Sequence, residues 1–275
     1  MNKKLIAVAV AGAIAGPTVM SAAGADVSVY GALYPRIAIQ DGDVTFEDGA
    51  SRIGFKSSKD MGNGNTVAGV MEFSVDVGNG KITSGDTSRL ANITYSGDWG
   101  SALIGSGWSI DPAKKACVAG GQGCGQVGYA GRVADMIQVT GDLGGFSVSA
   151  ETAFDGTDGV ATWGVATSIG FGALDVGAFY MDDGTDTTTH IGASTTLAGV
   201  YVGAEAGDSS NGDDSWGLGV KLPGGVKIGM DNVAGDLQQV TASYDIPLGG
   251  STLRLIVRDN EGADTYAKVQ WSYSL

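Results

Sequence analysis

The chain has 275 residues, with 47 glycines, two cysteines, a single histidine and a formal net charge of −14. Glycine far exceeds its usual share of about 7%, while charged residues fall below their usual ~25%. The acidic balance excludes a partner bound through its phosphates, so no nucleic acid is expected; the glycines lack the every-third-residue spacing of collagen, and one histidine leaves little for histidine-based metal or triad chemistry.

Met1 to Ala25 reads as an export signal. Lys3 and Lys4 give a basic start, Leu5 to Ala15 an apolar stretch, and Ala23-Gly24-Ala25 a small-residue cleavage site. The remaining domain is expected over 26–275, in a compartment that permits disulfides. No later segment has 18 consecutive apolar residues, so a helical membrane protein is excluded.

Alternation with period two runs through the rest, broken by Gly and Asp clusters, which is the pattern of short antiparallel strands. The first strand is predicted over 27–40, with Val27, Val29, Leu33, Ile37 and Ile39 on one face and Tyr30, Tyr34, Arg36 and Gln40 on the other. Fourteen more are predicted near 51–58, 65–76, 87–96, 100–107, 132–141, 146–154, 160–171, 173–182, 187–197, 199–207, 214–222, 226–233, 237–246 and 251–259. In the fourth strand Asn92 and Thr94 share a face with Leu90, which breaks the parity and points to a bulge or a protein-facing interface. The last strand ends at Leu275, with Val269, Trp271 and Tyr273 on its apolar face.

Sixteen is an even number, as an up-and-down barrel requires. The connections also fall into two series. One is acidic and longer, from 41–49 onward; the other consists of tight turns, of which 57–65 is the longest. The expected fold is therefore all-β, a 16-stranded antiparallel transmembrane β-barrel. A soluble β-sandwich is the competing reading of the same alternation. A closed sheet satisfies every backbone group within the bilayer, and half-apolar strands account for a mean hydropathy of +0.09.

Ser51 to Asp76 (SRIGFKSSKDMGNGNTVAGVMEFSVD), Thr87 to Trp108 and Gly131 to Glu151 resemble successive strands of the Gram-negative general diffusion porins. The opening DVSVYGALYPRI is similar to that family's first strand. The resemblance is specific over 26–154 and architectural beyond. It implies an outer-membrane homotrimer in which each barrel passes small polar solutes and ions. Outer-membrane lipid and lipopolysaccharide would surround it, with no cofactor and no catalysis. It also implies that the long third loop, 108–131, folds into the pore.

By that resemblance the constriction is set by Arg36, Arg52, Lys56, Glu72, Arg89 and Arg132 on the wall, and by Asp111, Lys114 and Lys115 on the loop. The chain departs from the family in three places. Gly105-Ser106-Gly107 stands where an arginine is usual, the loop has one acid, and Leu275 replaces a terminal phenylalanine. Alternation adds Lys221, Lys227, Arg254, Arg258 and Lys268 to the lumen, opposed by Glu151, Asp175, Glu205, Asp231 and Asp245.

Cys117 and Cys124 sit in the long loop as a disulfide candidate, with two free thiols as the alternative. His190 is expected at a solvated rim beside Asp182, Asp183 and Asp186. Acidic loop pairs such as Asp213/Asp214 would meet lipopolysaccharide through divalent cations. The acidic loops favour a slight cation preference. A non-conducting adhesive barrel and an outer-membrane hydrolase are the alternative functions.

Overall fold

A computed structural model describes residues 26–82, 89–113, 131–154, 156, 159–210, 214–233, 237–260 and 265–275. The export segment 1–25 lies outside the described residues, as do Lys114, Lys115, Cys117 and Cys124. The strands are β1 (Asp26–Leu33), β2 (Pro35–Gln40), β3 (Asp43–Asp48), β4 (Arg52–Gly62), β5 (Asn65–Asp76), β6 (Lys81–Ile82), β7 (Leu90–Gly97), β8 (Gly100–Trp108), β9 (Arg132–Leu143) and β10 (Phe146–Phe154). There follow β11 (Val160–Phe171), β12 (Leu174–Asp182), β13 (Thr187–Leu197), β14 (Val200–Ser209), β15 (Ser215–Lys221), β16 (Val226–Val233), β17 (Leu237–Pro247), β18 (Ser251–Asn260) and β19 (Tyr266–Ser274).

Three interruptions reduce these segments to sixteen barrel strands. β1 continues as β2, β3 as β4, and β6 lies on the same edge of β5 as β7. The first two interruptions face each other and have one cause. Pro35 has no N–H to offer a ladder, and the Tyr34 N–H donates to Ser51 Oγ at 2.7 Å. Asp48 Oδ2 in turn accepts from the amides of Ala50 and Ser51 at 2.8 and 2.9 Å.

Each strand pairs antiparallel with its neighbour in sequence, and the barrel closes where β19 pairs with both β1 and β2. At the seam Leu33 meets Tyr273, Ile37 meets Val269, and the Leu275 amide donates to the Gly31 carbonyl. Two expected loops prove to be strand. The expected connection 41–49 shrinks to an Asp41–Gly42 turn followed by β3, and 57–65 shrinks to Asn63–Gly64.

The face pattern excludes the sandwich. Val27, Val29, Phe55, Ile93, Ile191 and Leu218 are exposed on the outside, whereas Glu72, Glu151, Glu205, Asp231 and Gln270 are buried within. A water-soluble sheet protein buries its apolar face; this one presents it outward, as a lipid-facing barrel does. The parity break in β7 needs no bulge there. Leu90, Asn92 and Thr94 pair with Glu72, Val70 and Ala68 on the inner face, leaving Ala91, Ile93 and Tyr95 outside. At the tight-turn end Tyr95 stacks on exposed Trp99, and Trp271 and Tyr273 are also exposed. Aromatic rings of this kind sit at the membrane–water boundary.

The inner face is not polar throughout. Val133, Met136 and Ala153 cluster with Leu103, and Ala166, Phe179 and Met181 cluster with Ile110. Both clusters lie on the wall of β8–β12, where the long loop begins.

Candidate functional site

On one side of the inner wall Glu72 of β5 organises a charged group. Arg89 Nε lies 2.7 Å from Glu72 Oε1, Arg52 Nε lies 3.5 Å from Oε2, and the Tyr30 hydroxyl donates to Oε2 at 3.0 Å. Register explains the meeting. Glu72 pairs with Gly54, two residues from Arg52 on the same face, and with Leu90, next to Arg89. Gly54 leaves room for the Tyr30 ring, which a Cβ would meet at 2.6 Å. Arg52 also donates to the Tyr34 hydroxyl at 3.2 Å and lies over that ring, while Lys56 Nζ sits 5.7 Å from the centre of the Tyr30 ring. Arg132, the first residue of β9, is exposed and within electrostatic range of Arg89 and Glu72.

The basic character continues around the seam. Asp245 of β17 binds Lys227 Nζ at 2.9 Å and Arg254 Nε at 2.5 Å. Arg254 pairs in register with Gln270, and Gln270 with Arg36, whose Nε donates to Gln270 Oε1 at 2.7 Å. Lys268 meets Glu47 at 2.9 Å, and both Lys268 and Arg258 lie over the Tyr266 ring.

The opposite side holds the root of the long loop. Ser109 Oγ and the Ile110 amide donate to the two oxygens of Glu151 at 2.9 and 3.0 Å, and the Ser109 amide donates to the Gly131 carbonyl at 3.0 Å. Ile110 packs on Phe179 and its neighbours. Asp111 Oδ2 meets His190 Nδ1 at 2.7 Å. Pro112 and Ala113 then lie against Gly177 and Gly192, which are register partners on β12 and β13. A Cβ on Gly177 would stand 2.5 Å from the Pro112 carbonyl oxygen, and one on Gly192 would collide with that of Ala113. These two glycines form the notch in which the loop root sits. Residues Ser109 to Ala113 thus run across the inner wall from β8 to β13.

Of the expected constriction residues, Arg52, Glu72, Arg89 and Arg132 come together, with Lys56 close by on Tyr30. Arg36 stands apart, toward β19. Asp111 is turned to the wall and closed off from water, not aimed at the pore axis. His190 was expected at a solvated rim and is instead fully buried beneath the loop root. Its position follows from β13 entering the barrel wall at Thr187, which places residue 190 on the inner face. Its partner is Asp111, which makes it part of the seat of the loop root.

The Gram-negative porin family model matches residues 7–275. No curated protein matches the chain in sequence. In structure it is similar to the anion-selective porin from Comamonas acidovorans, with a TM-score of 0.71 at 17% identity, covering 92% of this chain and 100% of that one. It is likewise similar to Salmonella typhi OmpF in complex with daunomycin, with a TM-score of 0.69 at 17% identity over 93% of this chain and 99% of that one. A mutant of the Rh. blastica porin gives 0.72 at 16% identity over 91% and 100%. At such identities the structures speak for the fold, and the family match along almost the whole sequence speaks for kinship. The chain belongs to the Gram-negative porin family, outer-membrane barrels through which small hydrophilic solutes diffuse without a chemical step.

Proposed function

We propose that diffusion through this porin is controlled at a constriction between the Glu72 cluster and the loop seated opposite it. The observation that carries this reading is the loop root itself, bound across the inner wall from Glu151 to Gly192. A loop that enters the barrel at its root narrows the lumen on the side it covers. Arg36, Arg52, Lys56, Glu72, Arg89 and Arg132 form the facing wall, and Lys114 and Lys115 continue the loop beyond Ala113. Solutes are sorted by size and by many weak charged contacts, which retard passage without trapping.

The working assembly is a homotrimer in the outer membrane. Supporting this is a groove of about 500 Å³ on the outer face of β1, β4, β5, β7 and β8, floored by Ser57, Gly69 and Ala91 and walled by Phe55, Met71 and Ile104. Small residues in an apolar outer face allow close approach of another subunit. Residues 1–25 direct export, lipopolysaccharide surrounds the acidic loop end, and Cys117 and Cys124 close a disulfide in the loop. Single-channel recording of the purified protein in a planar bilayer tests the reading. Conductance steps in groups of three are expected, and Arg52→Ala with Arg89→Ala should enlarge each step. A protein that inserts and never conducts would end the channel reading.

A further inference from the structure

Most lumen acids are occupied or buried, Asp175 near the tight-turn end of β12 being the exposed exception. Glu151 is occupied by Ser109 and Ile110, Asp111 by His190, and Glu72 by two arginines, while Glu205 and Asp231 are buried. Arg89 and Lys227 are buried in ion pairs, but four other bases are more open. Lys56 and Arg132 are exposed, and Arg36 and Arg258 are half-buried. None of these four has a carboxylate partner among the described residues: Arg36 donates to Gln270, Arg258 to Thr241, and Lys56 rests on Tyr30. They share one arc of the wall, running from β18 through the seam to β9. Glu47, on that arc, is already paired with Lys268, and Asp245, on the adjoining β17, with two cations.

We propose that the pore favours small anions, chloride and carboxylates among them, and that Arg36, Lys56, Arg132 and Arg258 set this preference. The inference rests on the channel reading and gives it a sign opposite to that expected from the acidic loops. Range decides between the two. A carboxylate at a strand end stands roughly 15 Å from mid-strand, at about 3.3 Å per residue. That exceeds the Debye length of about 10 Å in 0.1 M salt. Loop acids therefore act at the mouth, where Arg258 stands beside Asp259, whereas Arg36 and Lys56 lie deeper, where low-dielectric walls concentrate the field. A guanidinium fork also meets a carboxylate through two parallel hydrogen bonds, so arginines on this arc give carboxylates a stepwise path.

The test is the reversal potential of the full-length protein in a planar bilayer under a KCl gradient. The expected sign is that of chloride preference. Lys56→Gln combined with Arg36→Gln should move the potential toward zero, and Lys56→Arg should leave it in place. A conducting protein with potassium preference, or a double variant with an unmoved potential, overturns this inference and leaves the channel reading standing. Absence of any conductance overturns both.

Discussion

Nδ1 of His190 and Oδ2 of Asp111 lie 2.7 Å apart, 79 residues distant in sequence, with both side chains closed to water. The pair ties the loop root to β13 from inside the barrel. Removing the imidazole in His190→Ala leaves the buried Asp111 carboxylate with the Ala113 amide on Oδ1 and nothing on Oδ2, a loss of about 1–3 kcal/mol. The barrel ladder does not depend on it. Expected are wider or flickering single-channel currents with unchanged β-sheet content by circular dichroism. Quiet currents of wild-type size would show that the loop is held elsewhere.

Gly192 lies in extended strand, so alanine suits its backbone; the obstacle is the Ala113 carbonyl. Gly192→Ala should keep the strand register and push the loop root off its seat. Liposome swelling with sugars of increasing size reads the result as a raised size limit. Gly177→Ala should act in the same direction and less strongly, because its closest contact is longer.

Glu72 gathers Arg52, Arg89 and Tyr30 around one buried carboxylate. Glu72→Gln keeps the shape and removes the charge. Breaking a buried pair by changing one partner costs roughly 3–5 kcal/mol, and the half-open position of Arg52 places this case toward the low end. Thermal melting of the assembly should fall, and the reversal potential should shift further toward chloride.

Leu218 projects from the middle of β15 into the lipid-facing band. Leu218→Arg should destabilise the folded barrel by about 2–4 kcal/mol if the site lies at the bilayer midplane. Urea titration of folding into liposomes measures it. A substitution of Lys221, which lies at the end of the same strand on the inner face, should change that midpoint little.

Acid should loosen the turn after β12. The Asp183 carboxylate accepts the amides of Asp186 and Thr185 at 2.8 and 3.0 Å, and these bonds hold its pKa below the usual carboxylate range. With the folded value lowered, the stabilisation is complete above the unfolded value of about 3.9. It is lost as the pH falls through the lower folded value. Hydrogen exchange at the Asp186 amide should therefore show protection that fades only in strong acid, and Asp183→Ala should abolish the protection at neutral pH.

The strand count, the inward and outward faces and the seam are written in the period-two pattern, because a lipid-facing barrel forces each strand to alternate. Arg52, Glu72 and Arg89 were readable as a group through the family resemblance, and register shows why they meet, since it converts strand position into proximity. His190 was not. Its neighbours in sequence are acidic turn residues, and nothing local tells that Asp111 arrives from another strand's loop. Gly177 and Gly192 were equally silent, as two glycines among many, until their register placed them side by side. The loop lengths misled for a different reason: 41–49 holds Asp and Gly that read as a turn, yet its Val44 and Phe46 continue the exposed apolar face opposite Ile39 and Ile37.

The seam also sets the order of events in assembly. The other strand pairs join neighbours in the chain, and all but β8–β9 and β5–β7 do so through short loop closures. β1 and β2 alone must wait for β19, far along the chain. Until then the sheet has two open edges, each a template for stray pairing. The sheet is thus an unclosed ribbon until β19 joins it, and removing that strand would leave a sheet that cannot close, not a narrower channel.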